Sequence, residues 1–422
     1  MRASTASTRP WIKLVAGSLL LGLAGCGLNG PLAGAQVTGG SGPITDQSLP
    51  GEQQELAVIS PYFSDPVTWN NRIALYPDRE ALAPLEAMLQ GARHNIWIET
   101  FELHDDAAGV ALTNLLIQKH QQGIDVRVIV DNIGEHSVGG TMPKILAENG
   151  VPTLIYGPFP FWGAEGKGFN ITHRKCYLVD GDQAMTGGMN LGDQYFDSIH
   201  DMLWKIDGAA ANTLHKEFAD DWQRGNGKGT LTVPPLPDQT YGNEPIGVAV
   251  TSPREPGREH EIHETLLAAI NNAKSRIDMG YPYFWDDAVL SELEAAARRG
   301  VQVHVILTTH DLAIFHKINL FAAKQGMPSG IQFKYWTPSY AHIKYAAIDD
   351  DYLQVGSSNA DALTFDNNQE LDLELTDPLT VAMFRQRVSD PDWASSTPIT
   401  AQDVAGISKP VFDLMTILDN YM

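Results

Sequence analysis

From about residue 70 the chain alternates short apolar runs with segments of helical spacing. Residues 95–103 (NIWIETFEL) carry the β-branched and aromatic content of a strand. Residues 107–123 have helical spacing and close on glycine. The run 124–131 (IDVRVIVD) reads as a buried strand, 142–150 as a short helix and 151–156 as another strand. Two further strands, 173–179 and 183–186, are divided by the turn Asp180, Gly181, Asp182. The second half runs through the same series. Residues 275–283 form a strand and 287–300 a helix ending in EAAARRG. The runs 301–307, 331–336, 342–348 and 352–356 are strands. Buried strands separated by helices predict an α/β class with a mostly buried sheet in each half.

Between the halves, residues 224–245 (RGNGKGTLTVPPLPDQTYGNEP) are rich in Gly and Pro and lack apolar periodicity. A linker over 231–245 then divides a first domain, 56–230, from a second, 246–422. The start of the chain differs from both. Arg2, Arg9 and Lys13 precede an apolar stretch, residues 14–25, that is too short to span a bilayer. It ends in Leu23, Ala24, Gly25, Cys26, which resembles a bacterial lipobox. The resemblance implies a signal peptide over 1–25 and a lipidated Cys26 that anchors the mature protein to a membrane. Residues 26–55 (Gly, Pro, Ser and Gln without periodicity) read as a flexible tether. Gly27, where an Asp would retain a Gram-negative lipoprotein in the inner membrane, favours the outer membrane, facing the periplasm.

The chain has 422 residues, 43% of them apolar and 19% charged, which is the balance of a folded protein. A net charge of −22 argues against a nucleic-acid groove and against electrostatic attachment to anionic lipid. It leaves room for a local basic pocket. With only Cys26 and Cys176, neither a disulfide scaffold nor a cysteine zinc site is available.

Candidate chemistry comes from an internal repeat. His173, Lys175, Asp180, Gly187, Asn190 and Asp201 recur at one constant interval as His342, Lys344, Asp349, Gly356, Asn359 and Glu370. A composition-based chance of H-x-K-x4-D-x6-G-x2-N is on the order of one in a million per start position. Two residues apart in an extended chain, each His and Lys leave the same face. A neutral imidazole is a competent nucleophile near neutral pH, and a second, protonated one can donate to a leaving group. Two lysines and two asparagines supply charge and donors for a phosphoryl group, with Ser357 adding a hydroxyl where the first motif has Gly188. Asp201 and Glu370 are expected to orient the imidazoles. The arrangement calls for no metal and no organic cofactor.

These residues resemble the phospholipase D superfamily, whose signature is the duplicated HKD motif. It stands here as HRKCYLVDGDQAMTGGMN (173–190) and HIKYAAIDDDYLQVGSSN (342–359). The stretches GGMNLGDQYFD, HDDAAGVAL and GSSNADALTFDNNQE are similar to the bacterial cardiolipin synthase group. The resemblance implies two α/β sandwich domains about a pseudo-twofold axis, with one composite active site between them. His173, Lys175, Asp180, His342, Lys344 and Asp349 would be catalytic, and His173 would be the nucleophile. The expected substrate is a phospholipid, with an alcohol or lipid as acceptor. Hydrolysis through the same intermediate is the alternative; a nuclease or an inactive binding lipoprotein stands further off. Phe159, Phe161 and Trp162 in a Pro/Gly loop either contact lipid or pack on their own domain. Residues 281–285 (YPYFW) occupy the matching place in the second half, and 404–422 have roughly helical spacing.

Overall fold

The computed structural model describes residues 51–157, 171–308 and 313–408. Cys26 with its leader, the aromatic loop at 158–168 and the C-terminal segment from 409 lie outside the described residues. No helix among the described residues is long and apolar enough to cross a membrane.

The first half contributes strands β1 (Asn71–Pro77), β2 (Asn95–Thr100), β3 (Asp125–Asp131), β4 (Thr153–Tyr156), β5 (Cys176–Val179), β6 (Gln183–Gly187), β7 (Ile199–His200) and β8 (Met202–Gly208). The second contributes β9 (Ile246–Thr251), β10 (Arg276–Tyr281), β11 (Gln302–Thr308), β12 (Gln332–Trp336), β13 (Tyr340–Ala341), β14 (Tyr345–Ile348), β15 (Tyr352–Gly356), β16 (Glu370–Leu375) and β17 (Thr397–Pro398). One sheet runs β1-β8-β6-β5-β2-β3-β4 and the other β9-β16-β15-β14-β10-β11-β12-β17. Apart from the extra edge strand β17, the two orders correspond position by position. In both, the last three shared strands are parallel and the rest antiparallel.

Alternation along the strands builds three apolar layers. Tyr177 and Val179 of β5 face an outer core with the helix Ala107–Gln121, whereas Cys176 and Leu178 face inward. In β14, Ala346 and Ile348 face an outer core while Tyr345 and Ala347 face inward. The inward residues of both sheets share one core with Trp204, Leu371, Leu373 and the helix Ala209–Arg224. The two halves therefore have a common interior. Cys176 is a small core residue in it, and burial pushes its thiol up to about 12.

Two boundaries differ from the sequence reading. The tether was expected to reach residue 55, but Gly51–Ile59 is a helix, and Asn272 donates to its Glu55 at 2.8 Å. Residues 56–70 were assigned to the first domain, yet Val58, Ile59 and Phe63 are buried in the outer core of the second. The first domain's own sheet begins at Asn71. The stretch 231–245 has no regular element, and it is strapped to the first domain by Tyr241–Asp182 (2.6 Å) and Asn212–Pro234 (2.8 Å) hydrogen bonds.

Asp180 and Asp349 require a correction as well. Each follows its strand and adopts a left-handed backbone (φ 56 and 46). The Asp180 carboxylate accepts the backbone N–H groups of Arg93, His94 and Asn95. Asp349 accepts those of Lys274, Ser275 and Arg276. Each clasps the start of the neighbouring strand, β2 or β10. Five residues beyond the motif lysine, they stand about 16 Å away along an extended chain. They hold the turns and not the substrate.

Candidate active site

Neither motif histidine lies within a strand of its own sheet. Residues 173–175 and 342–344 lead into β5 and β14, because the chain just before them pairs across the halves. Thr172 bridges Gln369, and the backbone N–H of His173 donates to Gln369 O at 2.9 Å. In the symmetric place, β13 pairs in parallel with β7, and His342 N–H donates to His200 O at 2.8 Å. The residue after Gln369 is Glu370 and the residue after His200 is Asp201. The pairing thus sets each orienting carboxylate beside the histidine of the opposite half.

Glu370 meets His173 Nδ1 at 2.9 Å, and Asp201 meets His342 Nδ1 at 2.7 Å. The ionised carboxylate only accepts, so opposite it Nδ1 carries the hydrogen and Nε2 presents its lone pair. Nε2 has no side-chain partner on either ring among the described residues. Both imidazoles are 9% exposed and both carboxylates fully buried. Lys175 Nζ donates to the His173 carbonyl, and Lys344 Nζ donates to the His342 carbonyl at 2.6 Å while lying 3.0 Å from His342 Nδ1. Phe101 meets His173 edge-on at 5.2 Å, and Tyr195 meets His342 edge-on at 5.8 Å.

The phosphate-holding side chains expected from sequence separate in the structure. Ser357 is fully buried, donates to Glu370 Oε2 at 2.5 Å and accepts the Leu371 N–H. It fixes the carboxylate that orients His173 and is not a phosphate ligand. Gly188 replaces it in the first half because a Cβ there would lie 2.3 Å from Asp201 Oδ1. Asn190 spends its side chain on its own half, donating to Tyr195 OH (2.7 Å) and accepting from Glu102 N–H (3.2 Å). Asn359, by contrast, is buried and its Oδ1 has no hydrogen-bond partner.

Sequence reasoning missed three further features. The Glu102 carboxylate stands just past β2 and is bonded by His104 (2.8 Å), Tyr195 (3.0 Å) and Ser137 (3.2 Å). Arg174 is fully buried between the motif His and Lys, donates to Asp221 (2.6 Å) and Glu217 (3.2 Å), and reaches Glu370 O across the interface. His200 is clamped by Asp78 (2.9 Å) and Asp392 (3.0 Å), one from each half. Burial opposes its charge, but the two carboxylates prevail and push it up to about 10. The only sequence signal for these was a charged residue inside an apolar run. Among the described residues no group of three or more His, Cys, Asp or Glu could hold a metal ion.

Electrostatics set the resting protonation. Burial, then the charges of Lys175 and Lys344, hold both imidazoles well below the ordinary histidine range. Burial also pushes Lys175 down to about 7 and Lys344 to about 8, against the pull of Glu370 and Asp201 respectively. It pushes Asp201 and Glu370 up to about 7. At neutral pH the imidazoles are therefore neutral, and the lysines are poised to gain full charge when an anion arrives. A lysine with a depressed pKa is charged below it, so kcat/KM for a phosphodiester is expected to fall as pH rises through about 7 to 8. The bound anion raises both ammonium groups, so kcat should hold to higher pH. Parallel pH profiles of the two parameters check this; a kcat/KM level to pH 9 would contradict it.

The family model described as "Cardiolipin synthase, PLD-like domain" matches residues 85–222 and 266–393, one stretch in each half. Cardiolipin synthase A of Pseudomonas putida (strain GB-1) is 30% identical over 351 residues, covering 80% of this chain and 72% of that protein. Cardiolipin synthase A of Pseudomonas entomophila (strain L48) is 29% identical over 350 residues, with the same coverage. Among solved structures, phosphatidylserine synthase from Haemophilus influenzae Rd KW20 superposes with a TM-score of 0.60 at 12% identity, over 86% of this chain and 96% of that one. That likeness is one of fold. With its two matched stretches folded into corresponding sheets around a shared histidine pair, the chain belongs to the PLD-like domain family of the cardiolipin synthases.

Proposed function

We propose that the protein is a phosphatidyltransferase that passes a phosphatidyl group from one phospholipid to an alcohol through a phosphohistidine. The observation that carries this reading is the pair of imidazoles, each held at Nδ1 by the opposite half's carboxylate, with Lys175 and Lys344 beside them. His173 Nε2 attacks phosphorus, and the bond from phosphorus to the headgroup oxygen breaks. The substrate anion offsets the lysine charges, so His342 can hold a proton and pass it to the leaving alkoxide. An incoming alcohol then gives its proton to His342, its oxygen attacks phosphorus, and the bond to His173 breaks. Relatives named cardiolipin synthase support a phospholipid donor and a lipid or polyol acceptor. Water at the acceptor position would yield phosphatidic acid.

The reading places the protein on the bacterial cell envelope, anchored through Cys26 and facing the periplasm if the cell is Gram-negative. The lipobox sequence supports it. Cys26→Ser should abolish uptake of labelled fatty acid and release the protein from membranes; a variant that stayed membrane-bound would refute the anchor.

Rapid quenching with phosphorus-labelled donor followed by peptide mapping should find the label on His173, and label on His342 would reverse the assignment. His342→Ala should slow transfer from an alkyl headgroup at least about a hundredfold more than from a p-nitrophenyl ester, whose leaving group needs no proton. Equal losses would remove its role as acid.

A further inference from the structure

The two halves match closely around the histidines, yet the rims above them differ in chemistry. The rim of the first half follows β2 and is polar: Glu102, His104 and, from the segment after Asn190, Tyr195. In the second half the chain after β10 places Tyr283 and Trp285 at the corresponding positions, and Thr364 corresponds to Tyr195. There Tyr283 and Trp285 pack on Phe315 with ring centroids 5.1 and 5.9 Å away. At these positions the first half carries hydrogen-bonding groups and the second carries aromatic rings packed into a small apolar cluster.

The polar rim has acceptor capacity left over. A carboxylate has about four lone-pair sites and a phenol oxygen two. Glu102 receives three hydrogen bonds, from His104, Tyr195 and Ser137. Tyr195 OH donates to Glu102 and accepts once, from Asn190. Each therefore keeps a site for a donor. The Tyr195 ring lies edge-on against His342 and its hydroxyl donates to Glu102, so this rim stands beside His342. In the second half Asn359, at the place of Asn190, also has a buried Oδ1 without a partner. A ligand rich in donors answers these acceptors. Hydroxyl groups fit better than an ammonium, because Lys175 and Lys344 already place two cations in the same buried space.

We infer that Glu102 and Tyr195 form the headgroup subsite, which holds a hydroxyl-bearing alcohol beside His342 as it leaves phosphorus or returns to it. The inference rests on the phosphatidyltransferase reading and gives the cleft a direction. The alcohol side of phosphorus lies against the first half and His342, opposite His173, as in-line displacement requires. Glu102 acts through Tyr195 and as a hydrogen-bond acceptor, so it is a positioning residue.

The test is the partition of the phosphoenzyme between alcohol and water. Purified protein is given phosphatidylglycerol in mixed micelles with glycerol, and in a parallel series with ethanolamine. Phosphatidylglycerol exchange, phosphatidylethanolamine and phosphatidic acid are counted. Tyr195→Phe is expected to lower the ratio of glycerol transfer to hydrolysis about tenfold, with KM for glycerol raised. Glu102→Gln should lower the same ratio, and it serves if the tyrosine variant does not fold. Thr364→Val, at the corresponding place in the second half, should leave the ratio unchanged. A ratio unaltered in both first-half variants would show a merely structural role and overturn the inference, as would preference for ethanolamine over glycerol in the wild type. If the wild type formed no phosphatidyl product from any donor, the underlying activity would fail instead, and that outcome is distinguishable from the others.

Discussion

Two buried hydrogen bonds between imidazole and carboxylate run from one half of the molecule to the other, and the rest of the site depends on them. His173 is held by Glu370 and His342 by Asp201. The bonds form because the segment before each histidine pairs with the segment before the opposite carboxylate. Neither half alone contains an oriented motif histidine. This constraint accounts for the shared inner core, since a fixed register between the two halves needs a close-packed interior beneath it. It also accounts for the clamp at His200, where Asp78 and Asp392 from the two halves grip one imidazolium beside Asp201.

Burying two lysines, two carboxylates and two imidazoles together would be strongly unfavourable if any member were unpaired. The cost is limited by reciprocal neutralisation. Each lysine is drawn toward a carboxylate of the other half, while burial brings lysines and carboxylates alike to between about 7 and 8. A site balanced in this way responds strongly to one added anion. The phosphodiester completes the charge balance, and its arrival lets His342 hold the proton that the leaving alkoxide needs. Substrate binding and catalytic protonation are thus the same electrostatic event.

Much of this was legible in the sequence. The duplicated motif named both histidines, both lysines and both orienting acids, because identical chemistry at one constant interval outweighs any local ambiguity. The strands 95–103, 124–131 and 301–307 were legible from their apolar runs. The strand β16 was not: its sequence ELDLEL alternates as if one face met water, whereas Glu370, Asp372 and Glu374 are all buried. Their partners Ser357, Ser358, Gln354 and Tyr352 come from other segments, and alternation alone cannot show that. Asp180 and Asp349 misled for the opposite reason. They travel with the motif because the turn needs a left-handed residue and a cap for three N–H groups. The crossed pairing of carboxylates was invisible because it is a property of the interface between the halves.

The crossing is best tested by splitting the two chemical roles with the carboxylates themselves. Glu370→Gln and Asp201→Asn would each be assayed by rapid quench for phosphoenzyme formation, once with an alkyl headgroup donor and once with a p-nitrophenyl ester. If each acid serves the opposite half, Glu370→Gln should depress phosphoenzyme formation equally on both donors, because it disorders the nucleophile His173. Asp201→Asn should depress it far more on the alkyl donor, because it disorders the acid His342. The reverse pattern, with Asp201→Asn indifferent to the leaving group and Glu370→Gln sensitive to it, would mean that each carboxylate serves its own half and would contradict the crossed site.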